Sequence, residues 1–242
     1  MSKILYHYDP KTGLLVSSSI AQIDAKASID KPVYVVPPNA TFEKPPVVSQ
    51  IHRVAKFDMN SKSWSVVDDY RGLPVVNKTT KEKTTWTKLG NLPKEYTFKT
   101  YDEDLKKYVK WDGLNWTIDE EGRALLLADI WAIRKSIREQ ECSSDIEYNG
   151  NLIHVDAVSF NDIMLAAQEA ILSGDMTTSK RWVTADNVDV QLNGNDFIAI
   201  AKLFGARRQK LVYESNEAWQ RDEEESTESL IEIYREMKEQ RG

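Results

Sequence analysis

The chain has 242 residues and a mass of 27.7 kDa, 41% hydrophobic and 29% charged, a composition that buries a core and excludes a wholly disordered polymer. No apolar run reaches the roughly 18 residues that a membrane span needs, and the start, Met1-Ser2-Lys3-Ile4-Leu5, predicts no secretory leader. A single cysteine, Cys142, excludes an internal disulfide framework and fits a reducing cytoplasm.

The net charge of −6 hides a gradient: residues 1–100 hold 15 Lys and Arg against 9 Asp and Glu, residues 101–213 hold 13 against 19, and residues 214–242 hold 4 against 10. A basic front and an acidic end suggest a polar association surface; two ordinary solvated faces explain the same numbers.

The first 75 residues read as short strands and turns, an N-terminal β unit over 1–75. Lys3 to Tyr8 alternates, Asp9-Pro10-Lys11-Thr12-Gly13 is a turn, and Leu14 to Ser18 returns as a hairpin partner. Pro37-Pro38 and Pro45-Pro46 favour extended connecting chain. Val54 to Asp58 and Ser63 to Val67 form a second hairpin around Met59-Asn60-Ser61-Lys62, closed by Asp69-Tyr70-Arg71-Gly72. Residues 73–100 look like a polar linker carrying one strand or none. The segment 76–117 then contains that linker and an aromatic hairpin, in which Asp112-Gly113 turns between Val109-Lys110-Trp111 and Leu114-Asn115-Trp116.

The pattern changes at Thr117, which with Glu120 predicts a capping box. Leu125, Leu126, Ile130, Ile133 and Ile137 give a helical stripe over 118–141. Asn149-Gly150 turns the next hairpin, Ser159 is expected to cap a helix that ends at Gly174, and Arg181 to Thr184 pairs with Val188 to Leu192. Asn193 opens another helix. The expected segments here are a connecting helix with a small α+β module over 118–213, and an acidic helical tail over 214–242. The last helix, 226–239, carries Leu230, Ile231, Ile233, Tyr234 and Met237 on one side. The predicted fold class is α+β: a small β-hairpin or β-sandwich-like unit, a long connecting helix, the α+β module and a terminal amphipathic helix.

Chemistry-bearing patterns are sparse. His7, His52 and His154 lack metal-ligand spacing, Cys142 sits beside carboxylates that oppose a thiolate, and no phosphate-cradling glycine motif occurs. No cofactor, metal or catalytic residue is assigned, and a non-enzyme is expected. Asp102-Glu103-Asp104 and Asp119-Glu120-Glu121 leave a hydrolase as a third reading, though solvated turn and helix-start carboxylates are strongly favoured as their explanation. Six lysines between Lys78 and Lys99 interleave with Trp86, Tyr96 and Phe98; without arginines or a nucleic-acid motif, a charged linker is favoured over nucleic-acid binding. Seven tryptophans are more informative, because indole faces anchor protein interfaces or stack on sugars, although small β units also use them as core. Trp64, Tyr70, Trp86, Trp111, Trp116, Leu230 and Tyr234 are the candidate partner-binding residues.

Two stretches carry a family resemblance. Ile153-His154-Val155-Asp156 through Ile163, Ala166-Ala167, Arg181-Trp182-Val183-Thr184-Ala185-Asp186-Asn187-Val188 and Phe197 to Ala201 resemble a phage domain of unknown function attached to tail fibre assembly proteins. Tyr8-Asp9, Thr12-Gly13, Pro37-Pro38, Pro45-Pro46 and Phe57-Asp58 through Arg71-Gly72 are similar to tail fibre assembly chaperones. The resemblance implies a protein that binds the C-terminal tip of a phage tail fibre in the host cytoplasm and promotes folding and trimerisation. Retention on the virion tail is a further expectation. The alternative is a tip adhesin whose front-half aromatics bind host surface glycan.

Overall fold

The computed structural model describes residues 3–26 and 32–240. It is an α+β protein with four α-helices and small sheets among the described residues, and its contacts divide it into two compact units, Met1–Thr117 and Ile118–Gly242.

The first unit is built of short antiparallel strands. β1 (Ile4–Tyr8) lies between β2 (Leu15–Ile20) and β3 (Ala40–Thr41). Gly13 turns β1 into β2 at φ +75°; a Cβ there would lie 2.5 Å from the Phe57 carbonyl oxygen, so this position admits only glycine. β4 (Arg53–Asp58) and β5 (Ser63–Asp68) pair in unbroken register from Arg53↔Asp68 to Asp58↔Ser63. Asp58 accepts the Asn60 and Ser61 amides of their turn.

The expected linker is part of a folded sheet. β6 (Pro74–Asn77) is flanked by β7 (Lys83–Thr85) and β8 (Tyr96–Thr97), and Val75, Val76, Trp86 and Tyr101 are buried. Three strands this short show no readable alternation. The adjacent pair Val75-Val76, behind a proline placed where a strand can start, was the available signal. β9 (Lys110–Trp111) and β10 (Trp116–Thr117) form the Asp112-Gly113 hairpin.

In the second unit α1 (Glu120–Cys142) starts from an Asp119 cap, whose carboxylate accepts the Gly122 amide at 2.9 Å. Thr117 is instead held extended opposite Lys110 in β10, which removes it from the expected capping box. β11 (Ile146–Tyr148) and β12 (Asn151–Ile153) form a hairpin. α2 (Ala157–Ser173) begins before the expected Ser159 cap because Asp156 takes the Ser159 amide at 2.7 Å; Gly174 ends it in the left-handed region. β13 (Lys180–Val183) pairs with β14 (Asp189–Leu192).

α3 (Gly194–Glu224) opens on an Asn193–Asp196 capping box and includes the first residues of the acidic segment that begins at 214. α4 (Thr227–Glu239) follows a Ser226 cap. Ile146, Ile153, Val155, Ile163, Leu192, Phe197, Ile200 and Phe204 form the core under the hairpins, α2 and α3.

Arginines tie α1 antiparallel to α3. Arg123 donates to the Glu223 and Glu225 carbonyls, Arg134 meets Asp222 bidentately at 2.8 and 2.9 Å, Arg138 reaches Ser215, and Arg207 returns to the Ser144 carbonyl. Asp222 is a buried carboxylate stabilised by a planar fork that matches both its oxygens.

Candidate interaction surfaces

The sequence-predicted residues fall in both units, Trp64, Tyr70, Trp86, Trp111 and Trp116 in the first and Leu230 and Tyr234 in the second. In the first unit Trp64 is half-buried in a cluster with Phe57 at 5.1 Å and Tyr8 at 6.4 Å between ring centres, and its indole N–H donates to the Glu43 carbonyl at 2.8 Å. Tyr8, Phe42, Phe57, Met59 and Lys62 line a groove beside it. Tyr70 is half-buried between His52 and Phe98. Trp111 and Trp116 stand edge to face at 5.4 Å, with Tyr101 at 5.0 Å from Trp116 and the Lys78 ammonium 5.0 Å from Trp111.

Two expected contact residues in these units are core. Trp86 is buried against Tyr96, and Leu230, on α4 in the second unit, is 0% exposed. Neither side chain offers surface to a partner. Periodicity marks an apolar helix face without saying whether that face meets a neighbouring helix or solvent, and α4 packs on α1. Tyr234 is half-buried, with the Lys238 ammonium 5.5 Å from its ring.

The lysines between 78 and 99 are largely committed inside their own unit. Lys78 donates to the Lys94 carbonyl, Lys81 to that of Lys106, and Lys99 to that of Leu114, while Lys83 pairs with Glu103. They act as cross-links between loops, and the Lys78 and Lys83 ammonium groups also lie over the Trp111 and Tyr101 rings. The carboxylates weighed for hydrolysis are also structurally engaged: Asp102 accepts the Asp104 amide in a short 3-10 turn, and Asp119 caps α1.

Electrostatic perturbation follows the turns. The amides of Thr12 and Asn115 hold Asp9 and Asp112 below the ordinary carboxylate range. The densest titratable group is His154, whose Nδ1 lies 2.6 Å from Asp145 and whose Nε2 lies 3.2 Å from Asp156. The Asp145 hydrogen bond, ahead of the other causes, raises its pKa. Among the described residues no group of three His, Cys, Asp or Glu is placed to hold a metal.

The surface that sequence reasoning missed is apolar. Ile4, Val16, Ile20, Ile23, Val33, Val35, Val36, Val47 and Ile51 are all exposed, from 46% for Val36 to 89% for Val47. Nearly half of the exposed large apolar side chains among the described residues fall within the first 51 positions. Ile4 and Ile20 face each other across β1 and β2, so these two exposed side chains lie side by side. Large exposed apolar patches mark interaction sites. The residues were visible in the sequence as strand formers, but their solvent exposure was not.

Residues 121–234 match a domain of unknown function, DUF4376. Over 90 residues the chain is 31% identical to the tail fiber assembly protein of Escherichia phage lambda. Over that stretch the chain is similar to a tail fibre assembly protein. The match covers 37% of the chain and 44% of the lambda protein, less than half of each. No solved structure matches. Among the described residues no helix is long and apolar enough to cross a membrane.

Proposed function

We propose that this chain is a tail fibre assembly factor that binds the distal end of a phage tail fibre protein and promotes its folding and trimerisation without catalysing a reaction. The likeness to the lambda tail fiber assembly protein supports an assembly role. The observation that carries the reading is the set of exposed apolar side chains of the first unit, among them the paired Ile4 and Ile20. An immature fibre exposes strand edges and apolar seams until its three chains meet, and such surfaces aggregate. A factor that covers them needs apolar area and no reactive group, and binding that favours the assembly-competent state shifts the equilibrium by mass action. Action in the host cytoplasm during assembly follows from this role.

Co-expression with the C-terminal part of the cognate fibre tests the proposal. Fibre expressed alone should be insoluble or monomeric, and with this protein soluble and trimeric. The double substitution Ile4→Lys, Ile20→Lys should reduce fibre capture at least tenfold while leaving the helical circular dichroism and its melting curve unchanged. Fibre that trimerises equally well without the protein would refute the assignment.

The second reading, a tip adhesin, is favoured by the paired indoles of Trp111 and Trp116 beside exposed Leu114. It requires the protein on purified virions and glycan binding that is lost in Trp111→Ala and Trp116→Ala.

A further inference from the structure

β2 is an outer strand of the sheet β2-β1-β3, and all six of its residues are exposed. Ala21 N–H donates to the Lys3 carbonyl at 2.8 Å, while Ile4 faces Ile20, Leu5 faces Ser19 and His7 faces Ser17. Hydrogen-bonded and non-bonded pairs alternate in an antiparallel ladder. The peptide groups of Ser17, Ser19 and Ala21 therefore face β1, and those of Ser18 and Ile20 face outward. Among the described residues no backbone hydrogen bond reaches either outward group. The edge is filled on both sides of them. Before them Leu14 is bridged to Lys56, and Phe57 N–H donates to the Gly13 carbonyl at 2.8 Å. After them Ile23 is bridged to Tyr34, and Val35 N–H donates to the Gln22 carbonyl at 2.9 Å. Continued in that register, the returning chain would bring Pro37 opposite Ile20, and a proline has no N–H to give. Natural edges are blunted by charge, proline or a bulge. The register shift of β2 lies at Val16, ahead of the open groups, and residues 14–23 include no charged residue and no proline.

We infer that this gap takes an extended segment of the client fibre by β-strand addition, antiparallel to β2. The inference rests on the assembly role proposed above and names how the client is held. Two client residues, opposite Ser18 and Ile20, exchange four N–H to carbonyl bonds with them. Only an extended backbone offers such groups in a row, since a helix uses its own. Ser18 and Ile20 project to the face that carries Tyr6 and Ile4 on β1, so the client side chain beside Ile20 is apolar. The uncharged edge offers no counter-ion to an acidic or basic segment. A second copy does not fit. With its β2 antiparallel to this one and its Ile20 opposite Ser18, the start of the copy's β2 falls where residues 33–35 already pair with residues 22–24. A segment without neighbours of its own enters without that clash. Unpaired strand segments are what a fibre exposes before its chains meet.

Amide hydrogen exchange of the full chain, free and saturated with the C-terminal part of the cognate fibre, tests the inference. Exchange at Ser18 and Ile20 should slow at least tenfold on adding fibre, with Ser17 and Ser19 already protected in the free protein. Ser18→Pro removes an outward N–H from an edge position, where proline is tolerated, and should weaken fibre capture at least tenfold. Ser18→Ala keeps that N–H and should capture as the wild type does. If Ser18→Pro fails to fold, the exchange measurement on the wild type decides. Fibre captured with no change at Ser18 and Ile20, or captured equally by a folded Ser18→Pro, overturns the inference and leaves the assembly role standing. A wild type that captures no fibre refutes the assembly role and the inference with it. Protection at Ser18 and Ile20 that grows with protein concentration in the absence of fibre gives the edge to a second copy and also overturns it.

Discussion

At the residue scale the Asp145–His154–Asp156 group has a defined pH response. A neutral imidazole carries one N–H and serves one carboxylate; the imidazolium serves both. His154 is raised above its ordinary 6.5, first by the Asp145 hydrogen bond, so the folded state binds this proton more tightly than the unfolded state. The stabilisation is fully present below pH ~6.5 and is lost as pH rises through the folded value. Asp156 is held low, first by the Ser159 amide, so its own contribution disappears only as pH falls below about 4. Stability of the second unit should therefore decline from pH 6 to pH 8, and His154→Gln should flatten that slope. Urea melts at several pH values check it; an unchanged slope in the variant assigns the decline elsewhere. His154 and Asp156 were legible as the end of a hairpin, while the capping role of Asp156 was not, since Ser159 was expected there. Their pairing with Asp145 depends on how the hairpin folds back.

At the element scale the caps and turns were the most legible features. Asn193 and Gly174 do what their types predict, because capping needs only local chain. Ser159 and Thr117 were misplaced because a competing carboxylate or strand partner lay within a few residues. The close approach of α2 to the start of α3 could not be read at all. A Cβ on Gly194 would lie 2.6 Å from the Ala170 Cβ, and both residues are buried. Gly194→Ala should therefore destabilise the second unit by about 1–3 kcal/mol, through overpacking, although alanine is the better helix former. Pairing it with Ala170→Gly should recover most of the loss. A Gly194→Ala protein with wild-type or higher stability would show that the helices separate freely.

At the scale of the whole molecule, charge and contacts divide at the same place. Residues 1–117 hold 18 Lys and Arg against 13 Asp and Glu, and residues 118–242 hold 14 against 25. Each unit has its own buried set, Val75 and Val76 in one and Phe197 and Ile200 in the other. Calorimetry should show two transitions. Val75→Ala should lower only the one without the helical signal, and Phe197→Ala, at about 3–5 kcal/mol, only the helical one. A single transition shifted by both substitutions would mean that the units unfold together.

Local chemistry was enough to place the turns, the long helices, the α+β class and the likeness to fibre assembly proteins, since each depends on residues within a few positions of one another. Burial required the folded chain. The amphipathic stripe of α4 supplies core at Leu230, the valines of the expected linker form the centre of a sheet, and the strand formers of the first 51 positions remain in solvent. Apolar periodicity records which side chains avoid water; the neighbour that removes them from it comes from distant sequence or from another molecule.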